Sequence, residues 1–294
     1  MQPLVPKTLL IVPNDPFSAL FTHFAPSART FFAGNFCATA AFEGGGHLHL
    51  LRGGRLRVSE NGKQDLVLDA PTVLFFPRGS AHRFSVDSER GADLACAHID
   101  LGGQQGNSLG HGIPDRVVLP LGSLPALAPT CELLWAEAFA HGQAGRQVAL
   151  DHLFDYFLIL LIRHIVGNGL VEGGVLAGLA DPRLSQALIA MHETPQRNWS
   201  LEDLADVAGM SRTRFAERFR DVVGQTAIGY LAGWRMQLAS GLLGKGNPVK
   251  TVASHVGYDD PAAFSRAFSK VIGRSPRAWI VEVALVRQSS GKRQ

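Results

Sequence analysis

The chain has 294 residues, 46% of them hydrophobic and 18% charged, enough for two domains with ordinary cores at roughly 150 residues each. Its three cysteines, Cys37, Cys96 and Cys131, are far apart and form no Cys-x-x-Cys pair, which argues against a disulfide framework and for a reducing compartment. The net charge of +3 is unevenly placed: residues 182–294 carry 16 Lys/Arg against 9 Asp/Glu, residues 1–181 carry 12 against 16, so only the C-terminal part has the balance suited to a polyanion.

The first residues are apolar but interrupted by Pro3, Pro6 and Pro13, a poor signal peptide. The longest unbroken apolar run, Tyr156 to Ile162, is far short of the ~20 residues of a membrane span. The expected address is the cytoplasm, with no membrane partner. Asp15-Pro16 before Phe17, Leu20, Phe21 and Phe24 predicts a short helix. From Arg29 to about Leu101 come strand-like runs at 30–39, 46–51, 55–59, 64–68, 72–76 and 93–101, with Gly53-Gly54 and Asn61-Gly62 as hairpin turns. Many short strands at this spacing predict a sandwich or small barrel. Cys37 and Cys96 fall in predicted strands as small core residues. Residues 102–130, rich in Gly and Pro, read as a loop. Helices are predicted over 131–141 and 146–166; the second is apolar nearly all round in its later half and needs cover on more than one side. A barrel supplies one side, and a second copy of the chain, making a homodimer, the other. Residues 167–178 read as a flexible boundary, and a helix at 182–192 opens the next domain.

The C-terminal third contains one unit twice. Ala205-x-x-x-Gly209, Phe215-x-x-x-Phe219 and Gly224-x-Thr226 recur as Ala253-x-x-x-Gly257, Phe264-x-x-x-Phe268 and Gly273-x-Ser275, offset by 48 and then 49 residues. In the first copy Ser200 caps a helix with Asp203 completing a capping box, and Leu201, Leu204, Ala205 and Ala208 share one face. Gly209 stops that helix. Ser211 caps a second helix with Phe215 and Phe219 inward and Arg212, Thr213, Ala216, Glu217 and Arg220 outward. In the second copy Asn247 is the predicted cap, Pro248 the first helical residue, and Asp259 or Asp260 the cap of a helix showing Pro261, Ala262, Ser265, Arg266 and Ser269 outward. A connecting helix over 227–243, roughly 25 Å long at ~1.5 Å per residue, would hold the two units near one turn of B-DNA, ~34 Å. The result is a double helix-turn-helix.

With Trp199-Ser200-Leu201-Glu202-Asp203-Leu204-Ala205, Arg214-Phe215, Trp234-Arg235-Met236, Val256-Gly257-Tyr258, Phe264-Ser265-Arg266 and Gly273-Arg274-Ser275-Pro276, this third closely resembles the DNA-binding domain of the AraC/XylS family of bacterial transcription regulators. His47-Leu48-His49 before Gly53-Gly54, and Pro77-Arg78-Gly79-Ser80-Ala81-His82, resemble the two cupin motifs, and the stretch from Asp15 to Asp100 resembles the cupin-type sensor of one branch of that family. The resemblance implies a two-domain α+β chain: a cupin-like β-barrel with flanking helices over 1–130, a helical dimerisation segment and linker over 131–180, and an all-α DNA-binding domain over 181–294. The helix-turn-helix units would span about 201–223 and 248–271. It implies base contacts from Arg212, Thr213, Ala216 and Glu217 and from Pro261, Ala262, Ser265 and Arg266, with Ser211, Arg220, Lys250 and Lys270 on phosphates. It further implies promoter DNA, RNA polymerase and a small-molecule effector as partners. His47, His49 and His82 are the candidate ligand pocket. The glutamate that follows the second histidine in metal-binding cupins is missing here, so no metal, no cofactor and no enzymatic activity are expected. The alternatives are a metal-dependent cupin enzyme fused to a DNA-binding domain, and a constitutive DNA binder whose barrel only dimerises.

Overall fold

The computed structural model describes residues 15, 17–86, 90–102, 109–140 and 142–291. The proline-interrupted N-terminal stretch, Pro16, residues 103–108 of the predicted loop and His141 lie outside them. Among the described residues, α1 (Ser18–Phe24) is followed by nine strands: β1 (Ser27–Phe36), β2 (Thr39–Phe42), β3 (Gly46–Gly54), β4 (Leu56–Glu60), β5 (Leu66–Leu68), β6 (Thr72–Phe76), β7 (His82–Ser85), β8 (Ala92–Asp100) and β9 (Val117–Pro120). They form two antiparallel sheets, ordered β1-β8-β3-β6-β9 and β2-β7-β4-β5.

Strand alternation decides how the sheets are covered. Leu48 and Leu50 of β3, Val73 and Phe75 of β6, and Ala95, Ala97 and Ile99 of β8 point to one side of the larger sheet, into a core shared with the helices. Leu51, Leu74, Phe76, Leu94 and Cys96 point to the other side and meet Leu56, Val58, Leu68 and Phe84 of the smaller sheet. His47 and His49 fall on this second, inter-sheet side.

The expected closed barrel is not formed. Each sheet keeps two edges, β1 and β9 in one, β2 and β5 in the other, so this is an open two-sheet sandwich. The free edge of β1 is occupied by a helix instead of a strand. On α3 (Arg146–Gly167), Asp155 accepts from the Ala28 N–H at 2.6 Å and Asp151 from the Thr30 N–H at 2.7 Å, while the Gln147 amide donates to the Thr30 carbonyl at 2.8 Å. Carboxylates four apart on a helix thus satisfy amides two apart on a strand, and the first part of the β1 edge is closed to a further strand.

Three strand and loop assignments also change. Strands β7 and β9 fall outside the predicted runs, β7 starting at the end of the Pro77–His82 motif and β9 inside the predicted loop; each is four residues long and is held by pairing, β7 with β2 and β4, β9 with β6. Cys37 follows β1 and is exposed, its thiol donating to the Asn35 side chain at 2.8 Å, whereas Cys96 and Cys131 are buried. Burial raises the Cys96 thiol pKa and, with Glu132 beside it, pushes Cys131 up to about 12.

The remaining elements are α2 (Ala128–Ala138), α4 (Gly174–Ala180), α5 (Leu184–Glu193), α6 (Leu201–Val207), α7 (Arg212–Val223), α8 (Ala227–Gly244), α9 (Val249–His255), α10 (Pro261–Ile272) and α11 (Pro276–Gly291). The apolar later half of α3 is covered within the chain, Phe157, Leu158, Leu161, Ile162 and Ile165 joining the core that holds α2, α4 and the larger sheet. The predicted flexible boundary runs into α4, and the chain just before that helix is tied to the sandwich by a hydrogen bond from the Glu172 N–H to the Gly112 carbonyl at 2.6 Å. There Gly112 sits at φ +91° with the Gly173 carbonyl where a Cβ would lie, an approach open only to glycine.

One apolar core runs from the helix-facing side of the larger sheet through α3, α4 and α5 to Phe215, Phe219, Tyr230 and Trp234. Phe24 of α1 packs against Trp234 with ring centroids 6.0 Å apart. The second helix-turn-helix has its own core of Met236, Ala239, Leu243, Val252, Ala253, Phe264 and Phe268. Helix α8 enters both.

Candidate nucleic-acid interface

Helix α6 begins as the sequence dictates: the Ser200 hydroxyl accepts from the Asp203 N–H and the Asp203 carboxylate from the Ser200 N–H, a complete capping box. Gly209, at φ +60°, then turns the chain into α7. Phe215 and Phe219 are fully buried, which leaves the opposite face of α7 to solvent. Arg212, Thr213, Glu217 and Arg220 are exposed and Ala216 is half-buried. Ser211 is the N-cap residue of α7 but makes no side-chain capping bond, so the first-turn N–H groups remain available to an anion.

The second unit differs at both of its helix starts. Pro248, not Asn247, is the N-cap of α9; the Asn247 amide instead donates to the Leu242 carbonyl at 2.9 Å and finishes α8. Asp260 caps α10, accepting from Ala262 N–H at 2.9 Å and Ala263 N–H at 3.0 Å. The positive end of α10 is therefore neutralised by its own carboxylate, while that of α7 is not. Pro261, Ala262 and Arg266 are exposed and Ser265 is half-buried. The Ser265 hydroxyl bonds back to the Pro261 carbonyl at 2.8 Å, and Arg266 lies 3.8 Å from Asp260. Lys250 and Lys270 are exposed.

Sequence reasoning did not separate Arg218 from the other arginines of α7. Its Nε donates to Asp181 at 2.7 Å, and the other Asp181 oxygen accepts from the N–H groups of Arg183 and Leu184 at the start of α5. These bonds outweigh the cost of burial and hold the Asp181 carboxyl below the usual carboxylate range. Arg218 thus orients α7, and its guanidinium is already committed.

The three predicted pocket histidines do come together, between the sheets. His47, His49 and His82 are each at most 3% exposed. The His82 Nδ1 lies 2.8 Å from the Ser80 carbonyl, which can only accept, so Nδ1 carries the proton and Nε2 a lone pair. His49 Nε2, 3.0 Å from that lone pair, must then donate, which leaves His49 Nδ1 a buried acceptor with no partner; His47 Nδ1 is also unpartnered. Burial, reinforced by the neighbouring imidazoles, lowers the His47 pKa to about 4 and the His49 pKa well below 6.5. Burial lowers His82 as well, against the opposing effects of Ser80 and Glu60. Phe42, Phe76 and Phe84 surround these rings, Phe76 stacking on His82 at 3.8 Å. A fourth histidine, His98, completes the group 5.0 Å from His47, with Phe31 over it at 4.4 Å. The signal for His98 was the alternation of β8, which puts it on the same face as Cys96; its pairing across from His47 needed the register.

The group does not suit a metal ion. Two of its nitrogens are used on each other and the set includes no carboxylate: Glu60, the nearest acid on the paired strand, is bonded to Lys63 and Arg116. Among the described residues no three His, Cys, Asp or Glu are arranged to hold one.

Residues 15–167 match the family described as cupin, and residues 204–280 a helix-turn-helix domain. Over 264 residues the chain is 30% identical to a helix-turn-helix-type transcriptional regulator of Haemophilus influenzae, covering 82% of this chain and 88% of that one. The chain belongs to the AraC/XylS-type transcription regulators with an N-terminal cupin-family domain. An AraC-like transcription regulator of Streptomyces lividans is 36% identical over 53% of this chain and 54% of its own length. The RCS-specific transcriptional activator RclR of Escherichia coli is 27% identical over 78% of this chain and 81% of its own. This regulator binds DNA sequence-specifically through its helix-turn-helix region. No helix among the described residues is long and apolar enough to cross a membrane.

Proposed function

We propose that this regulator switches transcription in response to a small molecule that enters the histidine cluster between the two sheets. The observation that carries the reading is the pair of buried, partnerless ring nitrogens, an acceptor on His49 and the Nδ1 of His47, both rings neutral at physiological pH and covered by Phe31, which is 38% exposed. A buried acceptor left unpaired costs about 1–3 kcal/mol, and a ligand that donates to it recovers that cost. The sandwich with residues up to 130 is the sensor, 131–180 the helical dimerisation segment and linker, and 181–294 the DNA-binding domain.

Phe31 lies in the bulge of β1 between Thr30 and Phe32, and the amides of Ala28 and Thr30 beside it are those held by Asp155 and Asp151 of α3. Displacing Phe31 therefore shifts α3, and with it α4, which packs against α7 in the same core. Arg212, Thr213, Ala216, Glu217, Pro261, Ala262, Ser265 and Arg266 read bases; Ser211, Arg220, Lys250 and Lys270 contact phosphates. The protein acts as a cytoplasmic homodimer, supported by the outward apolar residues Leu133 of α2 and Val148 and Tyr156 of α3, each more than half exposed, and contacts RNA polymerase at the promoter.

The test is a thermal-shift screen of small metabolites against the full chain and His49→Phe, followed by band-shift titration of promoter DNA with any compound that stabilises the wild type alone. A compound that raises the melting temperature of the wild type alone and changes DNA affinity supports the reading. Compounds that shift both proteins equally, or that leave DNA affinity unchanged, return the sandwich to the role of a scaffold.

A further inference from the structure

The two recognition helices ride on one connecting helix, and a single rod leaves one motion open: rotation of the second unit about the α8 axis. The structure blocks that rotation at an off-axis point. Arg235, midway along α8 and half-buried, donates from Nε to the Pro195 carbonyl at 2.6 Å and from its terminal nitrogen to the Arg197 carbonyl at 2.8 Å. Both carbonyls belong to the turn that leads into Trp199 and the Ser200 cap of α6. The same guanidinium lies over the Tyr258 ring, 5.7 Å from its centroid. Tyr258 follows the turn of the second unit and packs edge-on against Phe264 of α10, centroids 5.8 Å apart.

Beside it the two units meet backbone to backbone. Gly257, at φ +81°, has the Gln196 carbonyl oxygen 2.6 Å from where a Cβ would stand. Glycine here therefore serves two ends: it forms the left-handed turn and it lets the second unit close on the 195–197 turn of the first.

We propose that Arg235 and Gly257 are positioning residues that set the angle and phase between the two recognition helices, so that the protein accepts its two DNA boxes at one spacing only. Neither residue touches DNA in this scheme. Arg235 acts by joining two carbonyls of the first unit to the tyrosine that braces α10, a planar two-point fork that a lysine cannot reproduce. Without the clamp the first helix-turn-helix stays anchored in the larger core and the second keeps its own, but α10 swings relative to α7, and spacing discrimination is lost before affinity for either box. This rests on DNA recognition by both units together.

The experiment uses the full-length protein and duplexes selected by the wild type from a random 40-bp pool, with the two protected boxes then moved apart by one to five base pairs. For the wild type, two or three inserted base pairs weaken binding at least tenfold. For Arg235→Ala and Gly257→Ala the dependence on spacing falls to within threefold, affinity at the preferred spacing drops about tenfold, and affinity for a duplex carrying only the first box stays at the wild-type value. Arg235→Lys behaves like Arg235→Ala. A variant that keeps the wild-type spacing profile overturns the proposal, as does one that loses single-box binding in the same proportion, since that marks general damage to the first unit. A wild type that selects duplexes with one protected box defeats the two-unit reading itself, a separate outcome.

Discussion

Acid should weaken this protein through the sandwich interior, and His47 sets the scale. The ring is 1% exposed, and burial with the adjoining histidines takes its pKa from 6.5 to about 4. A histidine depressed in the fold favours the folded state only while it is neutral. Its contribution is whole above pH 6.5 and is lost as the pH falls from there to about 4, where the unfolded chain takes up a proton that the folded chain refuses. At 1.36 kcal/mol per unit, a shift of about 2.5 units amounts to roughly 3 kcal/mol, a large share of a typical domain stability of about 5–15 kcal/mol. His47→Gln removes the titrating ring and keeps a polar side chain. Urea unfolding of both proteins, followed by far-UV circular dichroism at pH 7, 6, 5 and 4.5, compares the two slopes. The variant should be less stable at pH 7, because it loses ring packing, and the gap should close by about 2 kcal/mol or more by pH 4.5. The depressed carboxyls of Asp151 and Asp181 add acid sensitivity to both proteins alike and cancel in the difference. Parallel stability curves over this range would show that the buried imidazoles do not couple to folding and would refute the argument.

Removing the Asp151 carboxylate with Asp151→Ala unpairs the Thr30 amide and frees the edge of β1; a loss of about 2–3 kcal/mol is expected for a charged hydrogen-bonding group, read from urea midpoints, with β1 amides exchanging faster in hydrogen exchange. Phe268→Ala empties the centre of the second unit's separate core at a cost of about 3–5 kcal/mol; footprints should shrink to the first box while the sandwich melts at its usual temperature. Arg266→Ala should cost about 1–3 kcal/mol at one or two base positions in a base-by-base affinity scan, whereas Lys270→Ala should weaken all sequences alike and lower the salt slope by about one. The opposite assignment of the two effects would exchange their roles.

The helix-turn-helix units were the most legible part of the chain, because their information is local. A capping box at Ser200 and Asp203, phenylalanines four apart, and glycines at 209 and 257 each act within one or two turns of backbone, and all of them behave as the spacing requires. The cap of α9 was misassigned because Asn247 is an equally good residue for finishing α8, and only the position of the Leu242 carbonyl distinguishes the two. The histidine group was half legible: alternation puts His47 and His49 on one face, but His98 joins them through an antiparallel register that no local pattern encodes.

Barrel closure was decided wholly by tertiary structure. The amino-acid order specifies short alternating strands and their turns, since side-chain periodicity and glycine conformations are properties of neighbouring residues. Whether the edges of those strands meet depends on what else can satisfy their amides. Here Asp151 and Asp155, more than a hundred residues away from β1, take the Ala28 and Thr30 amides of that edge. The relative setting of the two DNA-reading units is likewise a matter of contact across the fold: Arg235 and Gly257 look like an ordinary helix arginine and an ordinary turn glycine until the 195–197 turn is brought against them.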